Sequence, residues 1–276
     1  VIKIKIKLEV ICVKSYDFEY DGLCLSDMGY IICQFDAESS QTVSNGSQIT
    51  FNTTSTLNGS KYEQTSSEYG ECLETTIQIC KNPCLGDDME IPFKELRDLM
   101  SWLNRKEFHK LKFLDGDYLD LYFEASFNVS RIELNGKVYG LELAVTTNRP
   151  FALREPRQII VKNLIKNGKK TIHDISDEEG FIYPETEITI NEAGTLSIYN
   201  AIEDRTMVIK NCIVGEVIKL DYPVISSSIS SHHLENDFNW VFFRIANTFK
   251  YKKNDLTISL PCTIKLKYSP VVKMSF

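Results

Sequence analysis

The sequence has little of what enzymes use to bind phosphates or to activate nucleophiles. None of the glycine-rich phosphate-binding loops, the nucleophile-elbow pattern or the helical zinc-protease motif occurs among its 276 residues. Histidine is scarce, with four residues in the chain. We therefore predict that the protein is not an enzyme, and that it has no catalytic residue, no cofactor-binding residue and no metal ligand.

The chain also lacks long apolar segments. No run approaches the roughly 20 apolar residues that span a bilayer, so we expect no membrane partner. The first ten residues alternate isoleucine, leucine and valine with lysine and glutamate. This alternation indicates a half-buried strand and is unlike the apolar core of a secretory signal.

The cysteines are expected to be free. Without a secretory signal, we predict that all eight are reduced thiols, mostly buried as small apolar side chains. Cys80 and Cys84 are separated by three residues and have no second close pair, so a zinc site is not expected.

Two groups of polar residues allow both a functional and a structural interpretation. His232-His233 could bind a metal or act as a base. Adjacent strand residues point to opposite faces and cannot easily share a ligand, so we favour a loop. Asp115, Asp117 and Asp120 resemble the start of a calcium loop, but the later glycine and glutamate are missing. A hairpin turn with solvated carboxylates is favoured there.

Trp240 is one of only two tryptophans. With Asn236, Asn239 and Arg244 as polar neighbours, it could form a platform on which a sugar stacks. The same segment is also typical of a buried strand, in which Trp240 packs in the core beside Phe242. We favour the core position.

The residues that are present indicate many short strands and a single helix. The helix is predicted over Phe93–Lys106, with Pro92 in its first turn. Its buried stripe is predicted to consist of Phe93, Leu96, Leu99, Met100 and Leu103.

Around that helix, the first block of the chain shows alternating strands and two tight turns. Asp21-Gly22 and Asn135-Gly136 both predict hairpin turns. Separate strands are expected at 118–127 and 132–134. The polar segment 37–70 predicts a long loop or a splayed hairpin.

A second block begins after Asn148-Arg149-Pro150, and we expect it to be β throughout. Its regular short strands are typical of a sandwich or jelly roll. Pro261-Cys262 interrupts the last strand, which predicts an edge position or a bulge there. The predicted strands are Gln158–Leu164, Glu187–Ile190, Thr195–Tyr199, Thr206–Ile209, Glu216–Leu220, Val241–Ile245 and Asp255–Tyr268.

Charge is distributed unevenly between the two blocks. Residues 1–150 contain 15 basic and 23 acidic residues, a net charge of −8. Residues 151–276 contain 16 basic and 15 acidic residues, a net charge of +1. An acidic first block repels nucleic acid, so we do not expect it to bind DNA.

Several segments, in their order and spacing, resemble the distal tail proteins of long-tailed phages and prophages. Phe18–Tyr30 resembles the opening hairpin of that family, and Phe93–Lys106 resembles its single helix with a Trp-Leu pair near the end. The segment Tyr139–Leu143, followed by Asn148–Ala152, resembles the strand with which the first domain of that family ends. Three later segments resemble the C-terminal strands of the family, namely Leu234–Asn239, Asn254–Ile258 and Tyr268–Lys273.

The resemblance covers roughly residues 16–276 and implies a mainly β fold with one α-helix in the first domain. It implies a ring-forming tail domain at 16–152 and a galectin-like β-sandwich at 153–276, preceded by an extension strand at 1–15. The family has no catalytic residues to carry over.

The same resemblance implies a structural role in the tail tip or baseplate of the virion, assembled in the cytoplasm of the bacterial host. Six copies would form a ring, single or stacked on a second ring, through which DNA passes without being bound. The expected partners are the tail tube protein, a tail-associated hub protein and receptor-binding proteins. The alternative is a carbohydrate- or receptor-binding β-sandwich protein.

Overall fold

The computed structural model describes residues 15–35, 49–55, 62–70, 72–248 and 250–274. The packing of the chain divides it into two units, with the boundary between Leu153 and Arg154. The second unit extends from Arg154 to Val272. The strand predicted within residues 1–15 and the thiol of Cys12 lie outside the described residues.

The first unit is built on one antiparallel sheet. Its strand order is β2-β1-β7-β8-β9-β6-β3, while β4 and β5 pair with each other. The elements of this part of the chain are β1 (Phe18–Tyr20), β2 (Leu23–Cys24), β3 (Tyr30–Cys33), β4 (Ile49–Ser55), β5 (Tyr62–Tyr69), β6 (Glu74–Lys81), α1 (Phe93–Leu103), β7 (His109–Phe113), β8 (Leu121–Leu134), β9 (Lys137–Thr147) and β10 (Ala152–Arg154).

Both predicted tight turns are confirmed. Asp21 and Gly22 have φ values of 52° and 80°, and Asn135 and Gly136 have values of 52° and 76°. Two successive positive φ angles define the type I′ turn that suits the right-handed twist of a two-residue hairpin. These turns connect β1 to β2 and β8 to β9.

The helix exists, but its end and its buried face differ from the prediction. It ends at Leu103, before Arg105 and Lys106, and its buried residues are Leu96, Leu99, Trp102 and Leu103. Phe93 is 77% exposed. At about 100° per residue, Phe93 and Met100 lie roughly 100° from the centre of this stripe. The burial of Trp102 therefore turns the helix away from the predicted orientation.

Trp102 is buried because it packs on the sheet through both its ring and its N–H. The ring stacks on Phe18 at a centroid distance of 5.9 Å and meets the edge of Tyr20 at 6.2 Å. Its Nε1–H donates a hydrogen bond of 3.1 Å to the Tyr20 carbonyl oxygen. A buried indole that satisfies its one donor fixes the helix over β1.

Of two other predictions for the first unit, one is revised, and for the other the structure shows one of the two predicted alternatives. The predicted strands 118–127 and 132–134 are one strand, β8, with a register shift between Ile132 and Glu133. Within the polar segment 37–70, β4 and β5 form a hairpin, as one of the two alternatives predicted. Residues 36–48 and 56–61 lie outside the described part of the chain.

The second unit is a β-sandwich. A five-stranded sheet with the order β11-β21-β14-β17-β18 faces a four-stranded sheet with the order β12-β20-β15-β16, and β13 pairs with β19. The elements are β11 (Arg157–Asn163), β12 (Gly168–His173), β13 (Gly180–Ile182), β14 (Glu185–Ile190), β15 (Gly194–Asn200), β16 (Arg205–Cys212), β17 (Val217–Asp221), β18 (Val224–Ser227), α2 (Leu234–Asp237), β19 (Ile245–Asn247), β20 (Lys253–Ile258), β21 (Cys262–Tyr268) and β22 (Val271–Val272).

The core of the sandwich comes from strands of both sheets. Ile188 and Ile264 of the larger sheet and Ile198 and Ile258 of the smaller sheet are at most 2% exposed. Strands that alternate buried and exposed residues in this way bury one face and solvate the other. The mainly β architecture in two parts is thereby confirmed, although the second part also contains the one-turn helix α2, which was not predicted.

The prediction of one long strand over Asp255–Tyr268 is wrong. β20 lies in the four-stranded sheet and β21 in the five-stranded sheet. Pro261 lies in the crossing between them, where its missing N–H removes no ladder hydrogen bond. β21 is flanked by β11 and β14, so Pro261-Cys262 marks a change of sheet and not an edge or a bulge.

Candidate functional site

The chemistry-bearing clusters suggested by the sequence do not converge on a reactive centre. Among the described residues, no set of three or more His, Cys, Asp and Glu side chains is arranged to hold a metal ion. No described helix has the length and apolar character needed to cross a membrane.

The two adjacent histidines face different surroundings. His233 is exposed and contacts Glu235. The His232 side chain is 2% exposed, and its Nδ1 lies 2.6 Å from Oε1 of Glu216. Its Nε2 lies 3.4 Å from a carboxylate oxygen of Asp237. The pair lies in the segment between β18 and α2, so the predicted loop location is confirmed. One ring is buried and the other is exposed.

Glu216 is a fully buried carboxylate that anchors this loop. Burial alone would raise its pKa, but hydrogen bonds from the Ser227 hydroxyl, the His232 ring and the Ile213 amide outweigh burial and hold the pKa below its ordinary value. Glu216 therefore stays ionised and joins the β16–β17 turn to the segment after β18. This hydrogen-bonded arrangement orders the loop.

The three aspartates between β7 and β8 form a turn. Asp115 precedes a short 3₁₀ turn at Gly116–Tyr118, and its Oδ2 accepts a hydrogen bond of 2.8 Å from the Tyr16 amide. Gly116 has a φ of 73°, which suits glycine at a tight reversal. The structure thus agrees with the favoured turn.

The described cysteines are free thiols, and four of the seven are buried. Burial raises the pKa of Cys262 to about 12 and that of Cys212 to about 11. A thiol with such a pKa is neither a nucleophile nor a ready metal ligand at neutral pH. These two side chains act as small apolar residues of the sandwich core.

Trp240 is not in the core, contrary to the favoured prediction. It is 57% exposed and has a φ of 57°. The preceding Asn239 fixes this conformation, because its side-chain oxygen accepts hydrogen bonds from the amides of Val208 and Val241. Its amide nitrogen donates to the Thr206 carbonyl oxygen. The segment is tied to the edge of β16 by these contacts and is not a strand, so its side chains do not alternate.

Trp240 begins a continuous row of six aromatic side chains, which we call the aromatic row. Neighbouring rings along it have centroid distances between 4.1 and 5.7 Å. In order of contact, the row consists of Trp240, Phe238, Phe242, Tyr222, Tyr183 and Phe181.

Three members of the aromatic row are exposed and two form their support. Trp240, Tyr222 and Phe181 are 57%, 54% and 54% exposed, whereas Phe238 and Phe242 are at most 5% exposed. Helix α2, just before Phe238, contacts both β16 and β18, which are edge strands of the two sheets. The Phe238 end of the row therefore lies near the edge strands of both sheets.

An ion pair closes one end of the aromatic row. The Arg244 guanidinium lies 3.7 Å from the ring centre of Phe181 and binds Oε1 of Glu203 at 2.6 Å. A guanidinium over an aromatic face is attracted by the ring's negative quadrupole. The sequence pointed to Trp240 and Arg244 but not to Phe181, Tyr183 or Tyr222, which come from other parts of the chain.

The first unit also has an exposed apolar surface, on the β4–β5 hairpin. Ile49 and Phe51 are 52% and 60% exposed. They are two residues apart and therefore point to the same face. Tyr69 lies directly opposite Ile49 in the register, so it belongs to that face as well. Among the described residues, β4 and β5 pair only with each other.

Comparison with known families identifies the chain. A family model described as a phage tail protein N-terminal domain matches residues 13–149, and one described as a phage tail C-terminal domain matches residues 151–268. The chain belongs to this family of phage tail proteins. Its place is accordingly in the tail of the virion.

The fold of a phage tail protein is also found in a solved structure. The SPP1 Dit (gp 19.1) protein is similar to this chain with a TM-score of 0.62 and 11% sequence identity, over 92% of this chain and 98% of that chain. The resemblance to phage distal tail proteins is thereby confirmed, and the shared fold extends over both units. No curated protein matches this tail protein in sequence.

Proposed function

We propose that this phage tail protein is a non-enzymatic hub of the tail tip, which joins the tail tube to the host-recognition apparatus. Residues 16–152 would form a hexameric ring and residues 153–276 a galectin-like sandwich, with residues 1–15 as an extension. The SPP1 Dit protein, which shares the fold, is described as a paradigm of the hub adsorption apparatus in phages that infect Gram-positive bacteria. That description supports a hub role here.

The observation that carries the ring is the β4–β5 hairpin. An isolated two-stranded hairpin is at best marginally stable in water, and it needs a third strand or a packed face. Ile49, Phe51 and Tyr69 give this hairpin an apolar face whose first two members are more than half exposed. A second copy of the chain, placed against this face, would bury it.

In the proposed ring, the hairpin of each copy packs on a different surface of the next copy. A hairpin that packs on a different surface of its neighbour makes a head-to-tail interface, and repetition of that interface gives a closed ring when the rotation between copies closes. A ring suits a tail, because the tail has a central axis along which DNA travels.

Charge supports the same arrangement. The first 150 residues carry a net charge of −8, and several copies around a channel would multiply that charge. An acidic wall repels phosphates, so DNA would pass without adhering. The tail tube protein, a tail-associated hub protein and receptor-binding proteins are the proposed neighbours of the ring.

The mass of the full chain in solution tests the ring. Six copies of the 31.7 kDa chain have a mass of about 190 kDa, and two stacked rings have twice that mass. We expect light scattering after size exclusion to give one of these values. The double variant Ile49→Ser, Phe51→Ser should shift the mass toward the monomer, since it removes the apolar face of the hairpin.

Thr50→Ala is the matched control, because Thr50 lies on the same strand but on its opposite face. This variant should keep the mass of the parent. A parent that stays monomeric at high concentration contradicts the ring. If the double variant keeps the full mass, the ring exists but the hairpin does not hold it together.

A further inference from the structure

We propose that the aromatic row of the second unit binds a carbohydrate chain, whose hexose rings stack on the exposed faces of Trp240 and Tyr222. This inference concerns a binding site and does not depend on ring assembly. It rests on the exposure, fixed orientation and polar surroundings of the row.

Exposure is the first step of the argument. Soluble proteins rarely leave contiguous large apolar patches in water unless these patches bind something. Here three aromatic side chains, Trp240, Tyr222 and Phe181, are each more than half exposed and belong to one row of touching rings. A row that served only the core would bury these rings, as it buries Phe238 and Phe242.

Fixed orientation is the second step. Tyr222 stacks on Tyr183 with an interplanar angle of 10° and a centroid distance of 4.1 Å, and its ring lies nearly perpendicular to Phe242 at a centroid distance of 5.3 Å. Tyr183 thus covers one face of Tyr222, although 54% of Tyr222 remains exposed. Trp240 is held outward by the hydrogen bonds of Asn239. Rings that are already fixed lose little entropy when a ligand binds.

The chemistry of the row selects the class of ligand. The quadrupole of an aromatic ring gives its faces partial negative charge, so they attract the weakly positive C–H groups on the flat faces of pyranose rings. The Arg244–Glu203 pair at one end of the row supplies a donor and a carboxylate beside Phe181. A mainly apolar surface with a few placed polar groups is typical of a small-molecule site.

Nucleic acid fits this surface less well. Proteins that stack single-stranded bases combine aromatic rings with a strongly basic groove. Residues 151–276 have a net charge of only +1, and Arg244, the cation on the row, is already neutralised by Glu203. An uncharged sugar does not need a basic groove in order to bind.

The test uses the full chain on an array of immobilised glycans that includes glucose, galactose and N-acetylhexosamine polymers and bacterial surface polysaccharides. We expect binding to at least one glycan. A soluble oligosaccharide of that glycan should change the fluorescence of Trp240, and its affinity should fall at least tenfold in Trp240→Ala and in Tyr222→Ala. Both side chains are mostly exposed, so both variants should fold, which the thermal unfolding midpoint checks.

Tyr251→Ala is the matched control, because Tyr251 is a 60% exposed aromatic residue between β19 and β20 and is not a member of the row. It should bind like the parent. If no glycan on the array binds the parent, the proposal is overturned. It is also overturned if binding survives both row variants, or if Tyr251→Ala weakens binding as much as they do.

Discussion

The rotation of helix α1 can be tested with two substitutions on that one helix. Leu99 is 1% exposed and Phe93 is 77% exposed, although hydrophobic spacing places both on the same stripe. Leu99→Ala should destabilise the first unit by about 3 kcal/mol, from lost burial and from the cavity left against the sheet. Phe93→Ala removes the larger side chain but should change the stability by less than about 0.5 kcal/mol.

The two tryptophans allow the first unit to be measured separately. Trp102 is 8% exposed in α1, and Trp240 is exposed in the second unit. A protein with two units need not unfold in a single step. In a Trp240→Phe background, the remaining fluorescence reports only the environment of Trp102. Urea unfolding of this background and of its two alanine derivatives, at one protein concentration, gives the free energies.

The outcome separates the two orientations of the helix. If Phe93→Ala lowers the free energy of unfolding as much as Leu99→Ala does, Phe93 is buried. Hydrophobic spacing alone then gives the correct buried face of α1. If Leu99→Ala costs less than about 1 kcal/mol, Leu99 does not face the sheet, because a buried leucine truncated to alanine costs about 2–5 kcal/mol. Either result refutes the orientation in which Trp102 sets the buried face.

Two further substitutions test packing and charge. Gly140→Ala should destabilise the first unit by about 1–3 kcal/mol through overpacking, because an added Cβ would lie 2.7 Å from the Ile79 carbonyl oxygen. Gly86 has open space around it. Gly86→Ala is therefore the control and should leave the free energy of unfolding unchanged in the same urea assay. Glu216 has a folded-state pKa below its ordinary value of 4.5, so its contribution to stability is complete above that value and is lost as the pH falls through the folded pKa. The protection of the β17 amides against hydrogen exchange, corrected for the intrinsic pH dependence of exchange, should therefore fall in the parent as the pH drops below 4.5. This protection should depend less on pH in Glu216→Gln, and an unchanged pH dependence in that variant would contradict the assignment.

Features that depend on neighbouring residues could be predicted from the sequence. Asn135-Gly136 predicts its turn because only a few residue types accept two successive positive φ angles. The existence of α1 follows from the spacing of its leucines. The rotation of α1 does not, because it is decided by the fit of Trp102 against Phe18 and Tyr20, which lie on a strand far away in the sequence.

The aromatic row could not be predicted, because its members meet only through tertiary structure. Tyr183 follows β13, Tyr222 lies between β17 and β18, and Trp240 lies beyond α2. The apolar pattern around Trp240 is typical of a strand, but the hydrogen bonds of Asn239 replace strand pairing and give Trp240 a positive φ. A residue with an amide side chain, able to bond to nearby backbone groups, competed successfully with regular structure.

The proposed ring and the proposed sugar site lead to one joint expectation. Six copies in a ring would present six aromatic rows to the same polysaccharide, and linked sites can bind 10²–10⁴ times more tightly than one site, as an order of magnitude. The double variant Ile49→Ser, Phe51→Ser changes no residue of the row. It should therefore bind a short soluble oligosaccharide as the parent does, but bind the immobilised polysaccharide at least tenfold more weakly. If the double variant is monomeric and its binding to the polysaccharide is unchanged, the six sites do not act together. If it also loses the oligosaccharide, the substitutions have disturbed more than the contact between copies.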